Sequence, residues 1–178
     1  MAKAKKKKAG MTMLAWIMLA VMAVGLVLSI VGIFTDWITT KGEVLGGLVS
    51  GDSSQTLQDL FESQSDFREL DEDYSIKYFD ITYTCAWITL IAVAAAFGCF
   101  LVGGLLKMKL LKTIGMIAGV LAIVAGIMAA VFTALMGKEM SADAGIASAT
   151  TSLAVGCYLT LIGGIVGGAG AIISGASK

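Results

Sequence analysis

Residues 113–137 read TIGMIAGVLAIVAGIMAAVFTALMG, 25 positions between Lys112 and Lys138 without a charged side chain. A helix needs about 20 mainly apolar residues to cross a hydrocarbon core of roughly 30 Å, and a buried helix of a water-soluble protein rarely runs so long without a charge. Three more such windows occur: 27 residues between Lys8 and Asp36, 26 between Asp80 and Lys107, and 34 between Asp143 and Lys178. The pattern predicts an all-α integral membrane protein built as a bundle of four transmembrane helices, at 11–35, 81–106, 113–137 and 153–175. Around them fall a lysine-rich tail (1–10), an acidic outer loop of about 45 residues (36–80), a short turn (107–112), an outer connection (138–152) and a short end (176–178).

Composition agrees. Of 178 residues, 57% are hydrophobic and 15% are charged, against roughly 25% charged in ordinary soluble domains. The mean hydropathy is +0.87. The chain has no histidine, proline or asparagine. It therefore holds no Ser-His-Asp triad, no Cys-His dyad, no imidazole metal ligand and no N-glycosylation acceptor.

Charge sets the expected orientation. Lys3, Lys5, Lys6, Lys7, Lys8, Lys107, Lys109, Lys112 and Lys178 fall on one side with no acidic residue. Lys41, Arg68, Lys77 and Lys138 fall on the other with all 13 acidic residues. Basic residues stay on the cytoplasmic side during insertion, so both termini and the 107–112 turn are expected there, in a plasma or bacterial inner membrane. The basic clusters would lie against anionic lipid, at about 1 kcal/mol per residue near the surface. A signal peptide at 1–35 is disfavoured, because the apolar stretch far exceeds the 7–15 residues of a typical h-region. Trp37, Tyr74, Tyr78, Phe79, Tyr83 and Trp87 flank the outer ends of the first two spans, where amphipathic rings favour the interface.

The outer loop opens with Gly42, Gly46, Gly47 and Gly51, read as a flexible stretch. Ser53 or Ser54 is expected to cap a helix with Leu57, Leu60 and Phe61 on one face. The connection 138–152 is small and polar, and an outward extension of the fourth span is expected there. The acidic run Asp66, Glu69, Asp71, Glu72, Asp73 and Asp80 is the candidate cation or partner surface. Asp71, Asp73 and Ser75 mimic positions 1, 3 and 5 of a calcium loop. Position 6 is Ile76 instead of glycine and position 12 is Thr82 instead of glutamate, so the EF-hand reading fails.

The fourth span carries a stripe of small residues: Gly156, Thr160, Gly163, Gly164, Gly167, Gly168, Ala171 and Gly175. The third has a similar set in Gly115, Gly119, Ala122, Gly126 and Ala129. Lipid tails are as apolar as leucine, so helix association depends on close backbone approach, which small stripes permit. The glycines are the candidate helix-packing residues, either within one bundle or between copies. All three cysteines lie in spans; Cys85 and Cys157 are expected at similar depth, where a bridge is geometrically conceivable and free thiols are the default.

Four spans, cytoplasmic termini, a long first outer loop and a tryptophan after the first span resemble the layout of claudin-like tetraspan proteins. The outer-loop signature of that family, W-GLW-C-C, is absent, and the resemblance carries no residue role.

No ionisable residue falls in any span, which disfavours proton relays and coupled transport. The glycine-rich GAGAIISG near the C-terminus lacks the spacing of a nucleotide loop. The functional expectation is a non-enzymatic tetraspan protein acting as a scaffold or assembly subunit. It would need no cofactor, have no nucleic-acid partner, and associate with the bilayer and with itself or another membrane protein. The alternative is an oligomeric pore whose acidic vestibule attracts cations.

Overall fold

The computed structural model describes residues 13–44, 49–70, 76–106, 108–143 and 147–176. Four helices are long and apolar enough to cross a membrane: α1 (Met13–Phe34), α3 (Phe79–Leu106), α4 (Lys109–Met140) and α5 (Val155–Ala176). A shorter helix, α2 (Leu57–Leu70), and strands β1 (Asp36–Val44), β2 (Val49–Thr56), β3 (Ala142–Asp143) and β4 (Ala147–Leu153) complete the chain. The long helices pack side by side. α5 lies against α1 and α4 and touches α3; α3 and α4 form the other broad seam.

The side chains at these seams are small. Ala86, Ala96, Ala122, Ala129 and Ala171 are buried, with Thr89, Thr133 and Thr160 among them. Three buried hydroxyls turn back on their own helix: Ser29 Oγ donates to the Gly25 carbonyl at 3.0 Å, Thr89 Oγ1 to the Cys85 carbonyl at 2.8 Å and Thr133 Oγ1 to the Ala129 carbonyl at 2.6 Å, whereas the Thr82 and Thr160 hydroxyls meet no partner among the described residues. The back-bond keeps those three polar atoms satisfied where no water reaches.

Of the stretch read as a flexible loop opening, Gly42 and Gly51 are ordered in a sheet, while Gly46 and Gly47 fall outside the described residues. β1 and β2 form an antiparallel hairpin in which Gly42 pairs with Gly51 and Lys41 with Asp52. β1 also pairs with β4, from Ile38 opposite Leu153 to Val44 opposite Ala147, and β3 adds a short edge. The strand order is β2-β1-β4-β3. The segment 147–153 is therefore a strand rather than an extension of the fourth long helix. Threonines and serines at alternate positions suit a pleated, half-solvated surface. The pairing itself is long-range: Thr40 Oγ1 and Thr151 Oγ1 meet at 3.1 Å.

The third long helix reaches further than the charge-free window. α4 has 32 residues, a length of about 48 Å at 1.5 Å per residue, so one end overshoots an apolar slab. Its overshoot meets the sheet. Ser141 Oγ donates to the Gly137 carbonyl and accepts from the Thr151 backbone N–H at 3.0 Å.

Trp37 joins the sheet to the bundle. It is fully buried, its indole Nε1 donates to the Gly32 carbonyl at 2.7 Å, and the Ala154 N–H donates to its carbonyl at 2.9 Å. Ile38, Leu57, Leu60, Phe79 and Met136 pack around it in one apolar cluster. The cap of α2 is Thr56, not Ser53 or Ser54, which belong to β2. Thr56 and Asp59 form a reciprocal box. The Asp59 N–H donates to Thr56 Oγ1 at 3.1 Å, and the Thr56 N–H donates to Asp59 Oδ2 at 2.9 Å.

Candidate functional site

Two regions received the sequence candidates: the helix seams and the acidic side of α2.

On the seams, each predicted glycine can be located by what an added Cβ would touch. At Gly156 it would lie 2.6 Å from the carbonyl oxygens of Gly32 and Thr35. At Gly163 it would strike Ser29 and lie 2.7 Å from the Gly25 carbonyl. Gly167 faces Val93, 2.7 Å away. On the other side of α5, Gly164 faces Ala122 and Thr89, and Gly168 faces Gly119 and Ile123. Gly119 faces Ala171, Gly126 faces Thr89 at an ordinary 3.6 Å, Gly115 faces Phe100, and Gly175 faces Met116. All nine lie in contacts within one chain. α5 is thus approached from two sides, by α1 through one set of glycines and by α4 through another.

The sequence reading missed the α1 half of this seam. Gly25, Ser29 and Gly32 are buried and sit at i, i+4 and i+7. The signal was present as a small-residue row in an otherwise bulky helix.

Of the acidic candidates, Asp66 and Glu69 lie exposed on α2 and Asp80 lies exposed at the start of α3. Asp71, Glu72 and Asp73 fall outside the described residues, as does the calcium-like triplet with Ser75. Among the described residues, no group of three or more His, Cys, Asp or Glu is placed to hold a metal ion. The three cysteines are unpaired.

Where α2 meets α3 there is a cleft of about 340 Å³, lined by Phe61, Gln64, Ser65, Glu69, Phe79 and Asp80. The local sequence explains its walls. Leu57, Leu60 and Gln64 fall on one face of α2. The two leucines enter the Trp37 cluster, and Gln64 follows them inward to 3% exposure. Its Nε2 donates to Asp80 Oδ1 at 3.3 Å. Phe61, one step round the helix, stacks on Tyr83 with ring centroids 5.1 Å apart, and Phe79 tilts against the same ring at 5.8 Å. Tyr83 meets Trp87 edge-on at 6.2 Å, so an aromatic row leads from the cleft along α3. Gln64 was not singled out from sequence. A polar residue at the i+4 and i+7 positions of a leucine pair was the available sign.

Two further features stabilise the sheet end. Lys77 Nζ bridges Glu139 at 2.8 Å, which raises the Lys77 pKa chiefly through that hydrogen bond and the carboxylate charge. Asp59 is held below the ordinary carboxylate range by its hydrogen bonds from the Thr56 backbone and hydroxyl. Next to Lys77, Tyr78 takes φ 67°, the left-handed region, as the chain turns into α3.

The fold and site define a class of architecture: four long apolar helices joined at one end by a small sheet and a short amphipathic helix. No protein-family model matches the chain, and no curated protein matches it.

Proposed function

We propose that the chain is a non-enzymatic integral membrane protein, with both termini on the cytoplasmic side, that acts as a scaffold or assembly subunit. The sheet and α2 form its extracytoplasmic contact surface.

One observation carries this reading: the long helices are built with the large apolar side chains outward. Val27, Ile91, Ile117, Val131, Ile162 and Ile173 are 45–65% exposed or nearly so, at 57, 62, 65, 51, 47 and 50%. Glycine, alanine and threonine face inward. Only about a third of the most apolar window of α1, α3 and α4 is buried. In water such a surface would aggregate; in lipid it is the solvated face, and the small residues supply the helix contacts. The asymmetry of charge along the sequence supports the orientation, because all 13 acidic residues fall in the segments 36–80 and 138–152 and only lysines carry charge in the other connections.

The seams disfavour a conduit through one copy. Backbone meets backbone between Gly25 and Gly167 and between Gly119 and Gly168. A pore would have to form between copies, where the outward faces are apolar.

The test uses the full chain in its native membrane. A photo-cross-linker in place of Ser53, exposed on β2, should give a discrete adduct with a second membrane protein or another copy. Purified protein in liposomes should resist alkaline extraction and pass no cations. Absence of any adduct would overturn the scaffold reading, and cation flux would favour the pore.

A further inference from the structure

We propose that the cleft between α2 and α3 binds a single primary ammonium group. The inference does not rest on the scaffold reading; it concerns a site that would exist whether or not the chain assembles with a partner.

Gln64 makes the case. Its side chain is almost wholly buried yet lines the cleft, and its amide orientation is set by Asp80. Turning the carboxamide over would place its oxygen against a carboxylate. In the orientation that satisfies Asp80, Oε1 is shielded from water and has no hydrogen-bond donor. Buried acceptors are nearly always met, so this one calls for a donor that the described residues do not supply.

The rest of the cleft selects the kind of donor. Glu69 and Asp80 add two carboxylates, and Phe61 and Phe79 add aromatic walls. That combination favours a cation over a neutral donor, chiefly through charge. A metal ion is the poorer match, because no three acidic or other ligating side chains converge here among the described residues. A quaternary ammonium has no N–H to give Gln64. A primary ammonium has three, and Gln64 Oε1, Asp80 and Glu69 offer three acceptors.

The volume of about 340 Å³ suits an ammonium with a short carbon chain. The aromatic row Phe79, Tyr83 and Trp87 runs from the cleft onto the apolar part of α3. Two sources of the same chemistry can therefore reach it: an ethanolamine lipid headgroup or a soluble amine.

The probe is n-butylammonium chloride, titrated calorimetrically into the purified full chain in detergent. Tetramethylammonium chloride and sodium chloride at equal ionic strength serve as controls. Butylammonium should bind saturably and raise the melting temperature, and neither control should. Gln64→Met, which keeps the volume and removes the acceptor, should weaken binding about tenfold, the loss expected for one hydrogen bond to a charged group. Glu69→Gln, on the exposed rim, should weaken it by a smaller factor. Equal behaviour of butylammonium and either control would overturn the proposal. So would parental affinity in Glu69→Gln, a variant that disturbs no buried contact and decides the matter if Gln64→Met does not fold. Nanodiscs then separate the sources. Loss of butylammonium binding in phosphatidylethanolamine discs, with retention in phosphatidylcholine discs, assigns the ammonium to lipid. Retention in both assigns it to a soluble amine.

Discussion

Gly25 and Gly167 meet backbone to backbone: a Cβ added at Gly25 would lie 2.5 Å from the Gly167 nitrogen and 2.7 Å from its Cα. No side chain can yield there, so any larger residue must push α1 and α5 apart. Gly25→Ala is expected to destabilise the monomer by about 1–3 kcal/mol, the usual range for overpacking. Gly98→Ala is the control, because nothing lies within 4 Å of its added Cβ. It should be neutral or stabilising by up to about 1 kcal/mol from helix propensity. Thermal unfolding in one detergent measures both. Equal melting of the two variants would mean that α1 and α5 are not in contact.

The same seam predicts how a larger change fails. Gly167 faces Val93 of α3 as well as Gly25 of α1. Gly167→Leu should therefore yield a misfolded or degraded monomer, whereas Ile165→Leu, on the 40% exposed outer face, should leave stability within about 1.5 kcal/mol. A Gly167→Leu protein that folds as a monomer but loses an oligomer would place the stripe between copies instead.

Strand pairing is open to a covalent test. Thr40 and Thr151 are register partners across β1 and β4. Directly opposed antiparallel residues bring their Cα atoms within disulfide range. In a variant lacking the three native cysteines, Thr40→Cys with Thr151→Cys should oxidise readily. Thr39→Cys with Thr151→Cys should not, because adjacent residues on a strand face opposite sides. Mobility on non-reducing gels distinguishes them, and equal oxidation would mean the register is wrong.

Trp37 should be sensitive even to a smaller aromatic replacement. Trp37→Phe removes the indole N–H from the Gly32 carbonyl, inside the cluster that joins sheet and bundle. The Thr35 hydroxyl also donates to that carbonyl, at 3.3 Å, so the acceptor keeps one donor and the hydrogen bond itself is worth about 0.5–1.5 kcal/mol, to which the space left by the smaller ring adds. Chemical denaturation should show a loss of at least the hydrogen-bond share, and the protease sensitivity of the 36–70 region should rise with it. A parental midpoint would show that the indole hydrogen bond is dispensable.

Acid should loosen α2 through its cap. Asp59 titrates below the ordinary carboxylate range when folded, because Thr56 hydrogen-bonds its charged form. Its contribution is full above the unfolded value and is lost as pH falls through the folded one. Asp59→Asn should therefore be less stable than the parent near neutral pH and converge with it in strong acid. Lys77 has the opposite sign: its raised pKa gives a contribution present below its unfolded value and lost as alkaline pH passes the folded one. Paired melting curves across pH check both, and a constant Asp59 difference at every pH would remove the cap from the explanation.

Four long apolar helices were legible in the sequence because charges are excluded over whole windows, and length and hydropathy are local properties. The small-residue row of α5 was legible for the same reason, but not its neighbours: a glycine row permits contact with any surface that fits. Tertiary structure decided that Gly163 and Gly167 meet α1 and α3 while Gly164 and Gly168 meet α4. The sheet was hidden more deeply. Residues 147–153 become a strand because β1 offers them unpaired backbone groups more than a hundred residues away in the chain, and glycines such as Gly42 and Gly51 suggested flexibility when read alone. The cleft combines both cases. Its carboxylates Glu69 and Asp80 stood out as charge, whereas Gln64 gained its meaning only when α2 folded against α3 and buried an amide beside them. Burial of a polar group depends on what packs over it, and that is a property of the assembled fold.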